Sequence, residues 1–170
     1  MSAVFLTVTA QSVLVGHVTW QGRPAQPNAL NQLPITLTLK SALTEVNYAA
    51  QTTDASGFFT VSVNGMLPGQ YQWRVKDPKY LANSGTTIIT IGTNRQEMGL
   101  MRAGDASNDN IVNVVDFNIM KSTFGRSVGQ PDYDDRADWT GDQVVNVQDF
   151  NWLKLNFGTS GAPPIHPVVR

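Results

Sequence analysis

The chain has no cysteine, which excludes a disulfide framework, a thiolate metal site and a cysteine nucleophile. Glutamate is nearly as scarce: only Glu45 and Glu97 occur, in separate segments, so a glutamate pair for glycoside hydrolysis has no material. The two histidines, His17 in an alternating segment and His166 in a proline-rich tail, have nothing beside them that composes a triad. Glycine-rich nucleotide-binding patterns are missing, and no basic stripe interleaved with aromatics marks a nucleic-acid surface. No apolar run is long enough to span a bilayer, and residues 1–9 lack the positive region of a secretory leader. These absences argue against an enzyme, a nucleic-acid binder and a membrane protein.

What the chain does have is one pattern written twice. The segment from Asp105 to Gly125 returns thirty-three residues later as Asp138 to Gly158, identical at eleven of twenty-one positions. Each copy begins with oxygen-bearing residues at the spacing of a hard-cation loop, which draws ligands from positions 1, 3, 5, 7, 9 and 12, the seventh through its backbone carbonyl. The first copy offers Asp105, Ser107, Asp109, the carbonyl of Ile111, Asn113 and Asp116. The second offers Asp138, Thr140, Asp142, the carbonyl of Val144, Asn146 and Asp149. Three carboxylates within twelve residues repel one another unless a divalent ion neutralises them, so two Ca2+ are expected as part of the fold. Position 6, usually glycine, is Asn110 in one copy and Gln143 in the other. Glutamine tolerates the left-handed backbone less readily than asparagine, which makes the second loop the expected weaker site.

Two such loops, each followed by one helix, with Val-Asn-Val in the middle, aspartate at position 12 and Phe-Gly after the helix, resemble the dockerin modules of cellulosome-type assemblies. The acidic approach to the second loop from Asp132 to Asp138, ending in Arg136, Ala137 and Asp138, is similar to that family as well. The resemblance covers about the last third of the chain. It implies a non-catalytic plug that binds a cohesin domain on another protein.

Residues 1–103 carry a net charge of +3 (seven basic, four acidic) and residues 104–160 a net of −5 (four basic, nine acidic). The acidic excess falls where the cations are expected, so no basic partner is needed to explain it. The first hundred residues read as strands: 35–40, 59–63 and 71–76 alternate apolar and polar, and apolar β-branched segments lie at 4–8, 13–20 and 86–91. Turn signals separate them at Asp54 to Gly57, Leu67 to Gly69 and Asn83 to Gly85. Short strands at this spacing predict a β-sandwich. Val15 to Val18, Thr53 to Phe59 and Leu67 to Tyr71 together resemble the carboxypeptidase-regulatory-like family of prealbumin-like sandwiches, which implies a structural accessory domain, similar to the X-modules beside some dockerins.

The expected fold is therefore two-domain: an all-β sandwich over residues 1–102, a small all-α dockerin-like domain with two EF-hand-like calcium loops over 103–160, and a tail, 161–170, trailing into solvent. A last alternating strand runs from Gln96 almost directly into Asp105, with no flexible spacer, which predicts packing of the two parts rather than free tethering. Met98, Leu100 and Met101 are candidates for that contact, with sandwich core as the alternative. Residues 21–33 read as a long connecting loop.

In the two predicted helices, Phe117, Met120 and Phe124, and equally Phe150, Leu153 and Phe157, recur at i, i+3, i+7 and are read as core stripes of an antiparallel pair. A second row, Val115, Ile119, Ser122 and Arg126, matched by Gln148, Trp152, Leu155 and Thr159, lies on another face. The resemblance to dockerins implies that this row contacts cohesin. Because the two rows differ residue by residue, one binding orientation is expected. The functional expectation is a calcium-dependent interaction module, monomeric when unbound, that docks a larger extracellular or cell-surface protein onto a cohesin-bearing partner. The alternative makes the sandwich a carbohydrate- or surface-binding module and the calcium repeat purely structural.

Overall fold

Among the described residues, alternation of buried and exposed side chains organises the first part of the chain into seven strands: β1 (Val13–Trp20), β2 (Pro34–Lys40), β3 (Glu45–Thr52), β4 (Phe58–Ser62), β5 (Gly69–Asp77), β6 (Tyr80–Ile89) and β7 (Thr93–Met101). The architecture is that of a computed structural model, which describes residues 11–165. The strand expected over residues 4–8, and His166, lie outside the described residues. The strands form a three-stranded sheet in the order β4-β1-β7 and a four-stranded sheet in the order β3-β2-β5-β6. All pairs are antiparallel except β1 with β7, which is parallel. Leu14 and Val18 of one sheet and Leu37, Leu39 and Val75 of the other are buried between them.

Local chemistry explains the turns. The Asp54 carboxylate accepts from the backbone N–H groups of Ser56 and Phe58 at 2.8 and 2.9 Å, an Asx-turn that Gly57 closes at φ +80°. The Asn83 to Gly85 turn expected from sequence is instead the middle of β6, with Gly85 paired to Trp73. Glycine is required there because a Cβ at 85 would lie 2.6 Å from the Trp73 ring. The turn sits earlier, where Lys79 N–H donates to the Asp77 carboxylate at 2.6 Å. Strand β3 has only Val46 and Tyr48 to signal it, because an edge strand needs little burial.

Two ten-residue helices follow, α1 (Val114–Thr123) and α2 (Val147–Asn156), joined by a segment with one 3-10 turn (Asp135–Ala137). The separate all-α dockerin-like domain with two EF-hand-like calcium loops expected for this part is not what the chain forms. The molecule is mostly β-sandwich sheet with two short helices, and one continuous cluster of buried side chains runs from Leu14 and Leu39 through Tyr80 and Met101 to Trp139, Val145 and Leu153. Each helix buries one apolar side chain, Met120 or Leu153. Helices this short are marginal alone, and the apolar side chains buried in this part, among them Val112, Trp139 and Val145 beside Met120 and Leu153, belong to the same cluster as the sandwich core, so the helical segment completes its interior against the sandwich.

The expected stripes are also rotated. The buried positions are Asp116, Met120 and Thr123 in α1 and Asp149, Leu153 and Asn156 in α2, whereas Phe117, Phe124 and Phe157 are exposed. The two aspartates are turned inward by backbone N–H donors, which sets the inner face at i, i+4, i+7 and leaves Phe117 exposed, while Phe150 stays partly buried against the core as expected. Phe124 and Phe157 lie just past the helices, at their C-caps. Met98 is buried in the sandwich, where a Cβ on Gly16 would touch it, and Leu100 is exposed, so neither is the expected contact.

The tail does not simply trail away. Gly161 N–H donates to the carbonyl of Asn110 at 2.9 Å, Ala162 N–H to that of Ala82 at 2.8 Å, and Arg74 Nε to that of Ala162 at 3.0 Å. Its backbone groups find partners on β6 and in the first repeat, which holds it there through residue 162.

Candidate functional site

The two repeats fold alike. In the first, Asn110 N–H donates to Asp105 Oδ2 at 3.0 Å, and Asp116 accepts from Ser107 N–H and Asn113 N–H, both at 2.8 Å. In the second, Gln143 N–H donates to Asp138 Oδ2 at 3.0 Å, and Asp149 accepts from Thr140 N–H and Asn146 N–H, both at 3.0 Å. Asn113 and Asn146 cap the helices, with Asp116 and Asp149 completing reciprocal capping boxes. Asn110 and Gln143 take φ values of +70° and +69°. The amide of Gln143 is thus left-handed like its counterpart despite the side chain.

The repeats also bind each other. Val112 N–H donates to the carbonyl of Thr159 at 2.9 Å and Gly158 N–H to that of Val112 at 2.8 Å; reciprocally, Val145 N–H donates to Arg126 at 2.9 Å and Gly125 N–H to Val145 at 2.8 Å. Each loop is therefore tied to the end of the other repeat's helix, an approximate two-fold relation. The Phe117 and Phe150 rings meet with centroids 6.5 Å apart.

The structure gathers the predicted carboxylates of the second loop, whereas Asp105, Asp109 and Asp116 of the first are not drawn into a comparable group. Carboxylate oxygens of Asp138, Asp142 and Asp149 all lie within 4.8 Å of one another. In the first loop, Asp105 Oδ1 and Ser107 Oγ are buried without a hydrogen-bond partner, which a native interior rarely leaves unexplained. A hard cation takes such oxygens, so both loops fit one. Burial pushes Asp105 and Asp149 above the usual carboxylate range, against hydrogen bonds from Lys76 and Asn110 to the first and from Thr140 and Asn146 to the second. Burial makes the charge of each costly, and the Lys76 ammonium offsets that cost only in part at Asp105.

Residues outside the repeats complete the site, and the sequence reading did not single them out. Lys76 of β5 lies 2.8 Å from Asp105 Oδ2 and donates to Asn108 Oδ1 at 2.8 Å. Tyr133 donates to Asp138 Oδ2 at 2.9 Å. Lys79 and Arg23 reach the carbonyl of Asp138, both at 3.4 Å. Trp139 is fully buried at position 2, where the first repeat has Ala106. That inequality between otherwise matched repeats is the one signal that could have marked Trp139 as a contact to something beyond the repeat.

In the row assigned to partner binding, Val115, Ser122, Arg126, Gln148 and Leu155 are exposed, whereas Ile119 and Trp152 are partly buried against the core. Trp152 lies over residues 21–33: a Cβ on Gly22 would be 3.0 Å from its indole nitrogen. The exposed apolar surface also takes in Val114, Phe117, Val147 and Phe157.

No family model matches the chain, and no curated protein matches it. Among solved structures, the chain is similar to two chains of type II cohesin–X-dockerin complexes from Acetivibrio cellulolyticus. One, from a complex with an N-terminal interface mutant, aligns with a TM-score of 0.67 and 17% identity, over 88% of this chain and 97% of that one. The other, from a C-terminal interface mutant complex, aligns with a TM-score of 0.63 and 18% identity over the same shares. At this identity the likeness is one of fold.

Proposed function

We propose that this chain is a non-catalytic, calcium-dependent docking module that attaches a larger extracellular or cell-surface protein to a cohesin-bearing partner, with the sandwich as a packed accessory part. The observation that carries the reading is the pair of matched oxygen-rich loops, tied reciprocally to each other's helices, with the apolar side chains Val114, Val115, Leu155 and Phe157 exposed on and beside those helices. Exposed apolar surface of this kind is characteristic of interaction sites. The fold likeness to chains of cohesin–X-dockerin complexes supports the same reading.

In this reading Asp105, Ser107, Asp109, Asn113 and Asp116, with the Ile111 carbonyl, hold one Ca2+, and the matching residues from Asp138 to Asp149 hold the second. The ions supply charge neutralisation and rigidity; the chain's own residues orient α1 and α2. The alternative, a sugar-binding sandwich, has less support because Trp20 and Trp73, which could stack on a sugar, are buried. The deciding experiment is capture of a panel of cohesins by the full chain in calcium and in chelator. Binding in calcium that is lost in chelator is expected; retention on insoluble polysaccharide that survives chelation favours the alternative.

A further inference from the structure

The two loops share their backbone but not their surroundings. The matched bonds to Asp105 and Asp138 Oδ2, both 3.0 Å, and the matched φ values at Asn110 and Gln143 make the turns interchangeable. The second partner of that oxygen differs in charge: the Lys76 ammonium in the first loop at 2.8 Å, the neutral Tyr133 phenol in the second at 2.9 Å. The Lys76 side chain is 11% exposed and that of Asp105 is fully buried, so solvent and salt screen this pair poorly. Arg23 and Lys79 also stand beside the second loop, but there they donate to the Asp138 carbonyl, and the carboxylate that Lys79 pairs with is Asp135, outside the ligand set.

We propose that Lys76 is a built-in counter-cation of the first loop, so that the second loop takes up calcium first and the first loop fills only at higher concentration. The proposal rests on the calcium reading above. Calcium affinity follows the net charge of the ligand set. An ammonium on the position-1 carboxylate cancels one of three negative charges in the first loop and repels the arriving ion. The same ammonium relieves the repulsion among Asp105, Asp109 and Asp116, so the first loop keeps its shape with less help from the ion. Because Lys76 belongs to β5, the state of the first loop is tied to the sandwich. This ordering reverses the one expected from Gln143, whose backbone the fold holds left-handed regardless.

The test is calorimetric titration of calcium chloride into the chelator-treated full chain. The wild type is expected to show two steps separated by about tenfold or more in Kd. Asp142→Asn removes the tighter step and Asp109→Asn the weaker one. In the Asp142→Asn background, Lys76→Met tightens the remaining site by about tenfold, and Lys76→Gln, which keeps a donor for Asp105, does the same if circular dichroism shows the Met variant misfolded. Equal affinities, loss of the tighter step in Asp109→Asn, or folded Lys76 variants that leave the first site unchanged or weaker overturn the proposal. A wild-type chain that takes up no calcium removes the calcium reading itself, and the proposal with it.

Discussion

The Tyr80 hydroxyl donates to the carbonyl of Trp139 at 2.9 Å, while the Trp139 indole N–H donates to the carbonyl of Lys79 at 3.0 Å. A side chain of β6 thus satisfies the second loop's backbone, and a side chain of that loop satisfies the backbone beside β6. Both rings are fully buried. Tyr80→Phe leaves the Trp139 carbonyl buried without this donor, at a cost of roughly 1–3 kcal/mol. Denaturant unfolding measures it, and the shared core predicts a single cooperative transition. Two separated transitions, with only one moved by the substitution, would contradict a common interior.

Asp77 gives a pH-dependent prediction. It is buried, its Oδ2 has no hydrogen-bond partner, and burial raises its pKa to about 6, against the Lys79 N–H and the charges of Lys79, Lys76 and Arg23. In the window between the ordinary value of 3.8 and about 6, the native state holds the proton more tightly than the unfolded chain. Stability from this group therefore falls as pH rises through that window, and the full penalty is present above it. Asp77→Asn, which keeps an acceptor for Lys79 N–H, is expected to stabilise by roughly 1–3 kcal/mol at pH 7 and to be nearly neutral at pH 4. An equal effect at both pH values would count against a buried charge.

His17 tests the opposite sign. Its two ring nitrogens face the Glu97 carboxylate on one side and Gln26 Oε1 and the Ser56 carbonyl on the other. Burial lowers its pKa, but the hydrogen bond and charge of Glu97 outweigh that, and the net shift is upward. The contribution is complete below the unfolded value and disappears as pH rises through the folded one. Glu97→Gln should remove it, at a cost under about 1 kcal/mol near pH 6 because the carboxylate is exposed. A proton NMR titration of His17 that shows no upward displacement, or one unmoved by Glu97→Gln, would refute the pairing.

Calcium should stabilise the whole chain. At a free concentration of one hundred times Kd, each site adds about 2.7 kcal/mol, so chelator should lower Tm and the denaturant midpoint together. Asp142→Asn should reduce the calcium-dependent increment and leave the chelated Tm close to that of wild type. A midpoint indifferent to calcium over the whole range would count against the loops as ion sites.

The helix face separates docking from packing. Leu155 is 64% exposed, so Leu155→Asp is expected to change stability by no more than about 0.5 kcal/mol while weakening capture by a cohesin at least about tenfold. Trp152→Ala is expected to lower Tm, because the indole packs over Gly22. If the two variants exchange these effects, the face has been assigned the wrong way round.

Several features were legible in the residues because they are local. The ligand order in each loop is set within twelve positions, strands β2, β4 and β5 announce themselves by period-two alternation, and β1 by its apolar β-branched residues. Strand β3 was not legible, since an edge strand with Val46 and Tyr48 as its apolar signals resembles a polar loop. Of the helix stripes, Met120, Phe150 and Leu153 face the core, but Phe117, Phe124 and Phe157 do not, because aromatic periodicity carries no information about the backbone donors that pull Asp116 inward.

By itself the sequence determined that two like loops exist, which oxygens they present, and that strands precede them, because spacing along one short segment is enough for each. Only the tertiary structure decided that the helices share the sandwich's core, that Trp152 leans on residue 22, and that Lys76 rather than a neutral group stands against Asp105. Those outcomes depend on residues dozens of positions apart arriving at one place. Burial, hydrogen-bond satisfaction and charge then discriminate among faces that local periodicity leaves equivalent.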